Sequence, residues 1–230
     1  MLRSRNVRKP ISVIPTGIDE LVFNGKNREA TRRRLGIGPS DYIIGHVGRL
    51  TKEKNLTFLF NAVRRYLDRD KSAKFLLVGG QSPDIAELLG MFNDMRGSRF
   101  IYVGIKRDSE LADIYSAMDC FVFSSKVETQ GMVLAEAMLC GVPVVAISST
   151  GVNDIVKNGM NGFGTAENYH DFISAIYKCK KMDRSIVSSS AFYFTIEICI
   201  SKLLGIYRGF ARERRLAFGM KTLIGKLIGK

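Results

Sequence analysis

The chain contains no run of about 18 apolar residues, so nothing in it reads as a membrane-spanning helix. Its first ten residues are basic, but no apolar core follows them, so no secretory leader is read. The four cysteines, Cys120, Cys140, Cys179 and Cys199, form no C-x-x-C pair, and Cys120 and Cys140 fall in apolar runs. That removes the usual paired-thiol signal and suits reduced core thiols in a cytosolic compartment. Gly79-Gly80 follows a strand-like run, but no G-x-G-x-x-G is completed, which discounts NAD. A nucleic-acid reading would rest on charge alone, since aromatic platforms and basic recognition elements are missing.

What is present is an ordinary globular composition, 46 % hydrophobic and 25 % charged, with an unusual formal charge of +13. A chain of 230 residues buries about 70–75 % of its unfolded surface, enough for one substantial core. The charge points to an anionic partner or surface. Apolar runs at 42–47, 74–78, 100–103, 120–123 and 142–146 read as strands, with a last short one after Asn161-Gly162-Phe163. Helical stretches at 56–67, 85–95, 109–118, 132–139 and 169–178 alternate with them, and Gly151 opens a shorter one. In the first of these Leu56, Leu59, Phe60, Val63 and Leu67 keep a helical period, and Asn55 is placed to cap it. The alternation predicts an α/β fold, a doubly wound, Rossmann-like parallel sheet of about six strands with additional C-terminal helices. Residues 1–41 read as a lead-in, with a strand at 11–15, a turn at 16–19 and a basic helix at 29–35 ended by Gly36. Residues 42–179 form the expected sheet domain, and 180–230 a helical segment, apolar at 187–207.

Two further features are read as structural. His46, inside the first strand, is expected to pack and hydrogen-bond. Asp68-Arg69-Asp70 has the D-x-D form of a metal motif, but it ends a helix and reads as a solvated turn, so no metal is implied.

Residues 120–146 organise the chain. A strand, a loop holding Glu128, Thr129, Gln130 and Gly131, a helix carrying Glu136 and a second strand make one βαβ unit. Gly131 allows close backbone approach, and the first helical turn offers amides without intrahelical partners. A phosphate suits that place, and the helix dipole favours it. Carboxylates repel phosphate, so Glu128 and Glu136 should address neutral hydroxyls. A ligand with a central phosphate and hydroxylated rings on both sides is a nucleotide-sugar. Arg49 and Lys54 flank the carboxyl end of the first strand, the usual ligand side of an open α/β sheet.

The string E-T-Q-G-M-V-L-A-E-A-M at 128–138 resembles the E-x7-E signature of family 4 glycosyltransferases, which have the GT-B fold. It looks most like the branch that glycosylates diacylglycerol. G-R-L-T-K-E-K-N at 48–55 resembles that family's pyrophosphate clamp, and P-I-S-V-I-P-T-G-I-D at 10–19 the entry to its C-terminal domain. The resemblance implies that Glu128 holds the donor sugar and is the catalytic position, and that Glu136 holds the ribose. It implies Arg49 and Lys54 on the pyrophosphate, and Gly131, Met132 and Val133 as further donor-binding positions. Ile105 and Lys106 would contact the base through their backbone. Asp154 stands where the family often has Glu.

The implied reaction transfers a hexose, with retention, from a UDP- or GDP-sugar, without cofactor or metal, to an acceptor, a membrane lipid at the cytosolic face. In that family the donor sits mainly on the C-terminal domain and the acceptor mainly on the N-terminal one. The chain is therefore expected to be the donor half, inactive alone. It would be a truncated product, an excised domain or a subunit needing a separate acceptor-domain protein; the alternative is a module that binds nucleotide-sugar without turnover. Residues 202–230 carry eight Lys or Arg against Glu213 alone, and Leu216, Met220, Leu223, Ile224 and Leu227 share one helical face. That pattern suits a helix lying on an anionic membrane, and equally a solvated basic tail.

Overall fold

The computed structural model describes residues 6–80 and 86–228, with no account of the side chains of Lys52 and of residues 213–228. Six strands, β1 (Tyr42–Val47), β2 (Ala73–Val78), β3 (Phe100–Tyr102), β4 (Cys120–Phe123), β5 (Val144–Ile147) and β6 (Gly162–Thr165), form one sheet of order β3-β2-β1-β4-β5-β6. Every pairing is parallel. The helices are α1 (Arg28–Arg34), α2 (Leu56–Arg69), α3 (Ala86–Gly90), α4 (Asp108–Ala117), α5 (Met132–Leu139), α6 (Thr150–Ile155), α7 (Tyr169–Cys179), α8 (Arg184–Ser190) and α9 (Ile196–Ile228).

Side chains alternate along each strand, so the sheet feeds two apolar layers. Ile44, Phe75, Leu77, Cys120 and Val122 enter the layer shared with Leu59 and Phe60 of α2 and Phe172 of α7. Ile43, Leu76, Val78, Phe121 and Phe123 enter the opposite one, with Tyr115 of α4 and Met138 of α5. Burial on both faces explains why the strands read as continuous apolar runs. The four cysteines are unpaired and buried.

The amino end of the sheet is closed by charge. Asp119, just before β4, accepts from the Ile43 amide at 2.8 Å and from Arg32 at 3.1 Å, and pairs with Arg28. Arg32 is 4 % exposed; its remaining donors meet the carbonyls of Ala117, Gly38 and Asp41. Each guanidinium is thus taken up by carbonyls and one carboxylate, which is what makes its burial tolerable.

Several sequence expectations are corrected. Residues 11–15 form no strand: Pro10 and Pro15 donate nothing, and Ile18 instead bridges Thr195. Asn55 precedes α2 but does not cap it; it adopts φ 54° and its amide reaches Glu167 at 2.8 Å. The helix expected at 85–95 is reduced to α3 and a short 3-10 turn at Asn93–Met95. The apolar segment 187–207 is broken by a 3-10 turn at Phe192–Phe194. Asp70 is not simply solvated, since its carboxylate accepts from Lys180, Ser72 and Tyr66. The apolar face expected around Leu216–Leu227 lies outside the residues whose side chains are described; α9 itself runs on to Ile228.

The loops at the carboxyl ends of β1, β2 and β3 are stitched together at Gly79. Its amide donates to Gly104 at 3.0 Å, its carbonyl accepts from Tyr102 at 2.7 Å, and it adopts φ +151°. A Cβ there would lie 1.9 Å from the Gly48 carbonyl oxygen, which is backbone and cannot swing aside. Gly79→Ala is expected to cost about 2 kcal/mol or more in urea unfolding; an unchanged midpoint would refute the close packing of these loops.

Candidate functional site

The strand order reverses direction between β1 and β4. The helix after β1 covers one face of the sheet and the helix after β4 covers the other, so the two loops part and leave a crevice. Pairing between β1 and β4 is short: Ile44 faces Cys120 and Gly45 faces Phe121. At the next position the His46 Nδ1 lies 2.9 Å from the Val122 carbonyl, which it holds in place of a ladder amide. His46 is 1 % exposed and lies against Phe121 and Phe123. Burial pushes its pKa down to about 4. It is therefore neutral at pH 7 and belongs to the wall of the crevice.

The β1 loop carries Arg49 and Lys54, and the β4 loop carries Glu128. The structure brings Lys54 and Glu128 together, with Nζ and Oε2 3.8 Å apart and both side chains mostly shielded. The Ser124 hydroxyl donates to the Lys54 carbonyl at 2.7 Å and fixes the lysine backbone against β4. Arg49 is elsewhere: its guanidinium is 77 % exposed and pairs with Glu53 at 2.9 Å.

Glu128 does more than sit beside the amides of α5. Its Oε1 accepts from the amides of Thr129 at 3.1 Å, Gln130 at 3.4 Å and Gly131 at 3.1 Å. These amides belong to the loop and to the residue just before α5, not to its first turn, so the carboxylate closes the approach to the helix start, where the dipole favours negative charge. Gly131 precedes α5 at φ 61°. A Cβ on Gly151 would lie 2.5 Å from the Glu128 carbonyl, so α6 presses directly on this loop. Met132 and Val133 are half-buried at the start of α5 and pack on the second apolar layer.

Glu136, one turn along α5, accepts from the Tyr115 hydroxyl of α4 at 3.0 Å. Burial raises its pKa, and the tyrosine bond partly offsets that. Ile105, in the loop after β3, is 64 % exposed. It lies over Gly80, and its neighbour Lys106 pairs with Glu110. Asp154 lines a groove of about 580 Å³ with Val13, Met160 and Tyr193, bordered by Thr129 and Gln130 of the Glu128 loop.

Sequence reasoning missed Ser124, Tyr115 and Glu167. Glu167, after β6, accepts from Asn55 at 2.8 Å and pairs with Lys126 at 2.6 Å. None of the three lies in a motif, and each acts on a residue 21 to 112 positions away. Among the described residues no cluster of His, Cys, Asp or Glu has the form of a metal site, and no helix is long and apolar enough to cross a membrane.

A parallel sheet of this order, with a lysine and a row of oriented loop amides at its switch point, defines a doubly wound α/β domain. The profile of the group 1 glycosyl transferases matches residues 41–181, and the chain belongs to that family, of the family 4 type with the GT-B fold. It is 31 % identical over 163 residues to D-inositol 3-phosphate glycosyltransferase of Actinosynnema mirum, covering 66 % of this chain and 39 % of that protein. It is 29 % identical over 182 residues to alpha-monoglucosyldiacylglycerol synthase of Streptococcus pneumoniae, covering 76 % and 41 %. The fold matches Anabaena Alr3699/HepE, solved with UDP and glucose, at a TM-score of 0.73 and 23 % identity, over 86 % of this chain and 57 % of that one. The chain thus spans less than half the length of these two relatives.

The environment of Glu136 has a measurable consequence. Folding raises its pKa, so the folded protein holds that proton more tightly than the unfolded chain. Wild type therefore gains stability as pH falls through the folded value towards the ordinary glutamate range. Glu136→Gln removes the buried charge and keeps an acceptor for Tyr115. It is expected to raise stability by about 1 kcal/mol at pH 7, with the gap closing as pH falls towards 4.5. Urea unfolding at both pH values reads this, and a pH-independent difference would contradict it.

Proposed function

We propose that this chain is the donor half of a glycosyltransferase that moves a hexose, with retention, from a UDP- or GDP-sugar to an acceptor, a membrane lipid. The observation that carries the reading is the Lys54–Glu128 pair under the amides of 129–131 at the switch point. A cation, a row of oriented amides and a carboxylate in one crevice fit a ligand that is anionic in the middle and hydroxylated at its ends. The names of the relatives, one a glucosyldiacylglycerol synthase, and a neighbour solved with UDP and glucose support the same reading.

In this reading residues 42–179 are the donor domain, 1–41 lead into it and 180–230 are an appended basic helical segment. Lys54 meets the pyrophosphate, and Arg49 joins it by leaving Glu53, an exchange that costs little for an exposed pair. Glu128 turns from the amides to the sugar hydroxyls as donor atoms take them over. Glu136 addresses the ribose, while Gly131, Met132 and Val133 present the first turn of α5. The exposed backbone at Ile105 and Lys106 meets the base. Positive charge and the helix dipole offset the leaving diphosphate, so the reading needs no metal. The acceptor is held by a part of a longer protein or by a separate partner, without which the chain binds donor but does not transfer. The setting is the cytoplasmic side of a membrane.

Calorimetry tests the donor site. The 230-residue chain is expected to bind UDP or GDP, and Lys54→Ala to weaken that binding about tenfold to a hundredfold, the value of one charge-assisted contact. Glu128→Gln should weaken UDP-hexose more than UDP. Absence of nucleotide binding by wild type would remove the reading.

The basic helix supports peripheral membrane binding. Ile196, Ile200, Leu203, Leu204, Tyr207 and Phe210 follow one face of α9 and are all exposed, while Lys202, Arg208 and Arg212 lie off it. Anionic lipid attracts each nearby basic residue by about 1 kcal/mol, and apolar burial resists screening by salt. Co-sedimentation with anionic liposomes is expected, weakened but not lost at high salt, and reduced by deletion of residues 208–230, which removes seven Lys or Arg while leaving most of that apolar face. Equal sedimentation after their deletion would exclude this role.

A further inference from the structure

We propose that Glu167, which lies outside every motif of the chain, is a positioning residue that aims Lys54 at the donor diphosphate. The proposal rests on the reading of Lys54 as a phosphate ligand. Lys54 closes a 3-10 turn, and the next residue, Asn55, takes the left-handed conformation at φ 54°. That conformation is unfavourable for a non-glycine residue, least so for Asn, and a side-chain bond can hold it. Asn55 spends its amide group not on α2 but on Glu167 Oε1, 2.8 Å away and 112 residues later. The other oxygen of the same carboxylate takes the Lys126 ammonium at 2.6 Å, two residues before Glu128. One carboxylate therefore ties the backbone beside Lys54 to the loop that carries Glu128. Ser124, fully buried, grips the Lys54 carbonyl at 2.7 Å from the side of β4. Between these two holds the Lys54 ammonium is delivered to within 3.8 Å of Glu128.

The sign of the effect separates this role from plain electrostatics. Glu167 is itself an anion near an anion site. If only its charge mattered, removing it would strengthen nucleotide binding and release Lys126 to help. If it positions Lys54, removing it weakens binding although a negative charge has gone. The effect must also vanish when Lys54 is absent, because nothing is left to aim.

The test is calorimetry on the full chain with UDP, and GDP in parallel. Glu167→Ala should weaken nucleotide binding about three- to tenfold, and Glu167→Gln, which keeps the acceptor for Asn55, should stay within about twofold of wild type. In a Lys54→Ala background, adding Glu167→Ala should change affinity by less than about twofold. Asn55→Gly, which adopts the left-handed conformation without strain but cannot reach Glu167, should match Glu167→Ala. Unchanged or tighter binding by Glu167→Ala, or a full additive loss in the Lys54→Ala background, would overturn the proposal while leaving the donor site standing. A Lys54→Ala variant that binds nucleotide like wild type would remove the donor-site reading, and this proposal with it.

Discussion

Everything at the site follows from how briefly β1 and β4 run side by side. Two residue pairs join them, and then the chain lets go. In a parallel sheet each strand must be followed by a crossover helix, and the helices after β1 and β4 lie on opposite faces. The loops leaving those strands are pulled apart, and the crevice between them is the cost-free product of topology. Asp119 and its arginines clamp the other end of the same two strands, so the opening is confined to the carboxyl edge. His46 finishes the junction by bonding the Val122 carbonyl that β1 no longer pairs. A neutral imidazole suits this, since a charged one would be buried against two phenyl rings.

The four charged side chains expected at the site are held in different ways. Lys54 is held at its backbone carbonyl by Ser124, and its side chain is mostly shielded beside Glu128. Arg49 is the opposite case, an exposed side chain in a surface pair that is worth little and easily given up. Glu128 is spent on the helix start, and Glu136 is half-buried at a cost that burial itself reveals through its raised pKa. Among these groups it is the buried Glu136 charge that lowers stability.

The lead-in meets the start of α9. The Ile18 amide donates to the Phe194 carbonyl at 2.8 Å, and the Ile196 amide donates to the Ile18 carbonyl at 2.9 Å. Gly17 lies so close to Ile196 that a Cβ would fall 2.7 Å from its Cα. The lead-in and the start of α9 are thereby joined, and from there α9 carries its exposed aliphatic and aromatic side chains away from the sheet.

The order of strands and helices was readable because burial on both faces of a parallel sheet leaves continuous apolar runs, and amphipathic helices keep their period; β1, β4 and α5 fall where those patterns put them. The family was readable for a related reason, since the residues around Glu128 and Arg49 lie in short contiguous strings. Sequence alone placed Lys54, Glu128 and a glycine-led helix start in the loops at the carboxyl edge of a doubly wound sheet. Tertiary structure alone decided what each does there. Glu128 takes the amides, Arg49 turns to Glu53, Glu136 leans on Tyr115, and Asn55 abandons its helix for Glu167. Those outcomes depend on distances between residues far apart in the chain. Each is a competition among polar partners of similar strength, which no local pattern encodes.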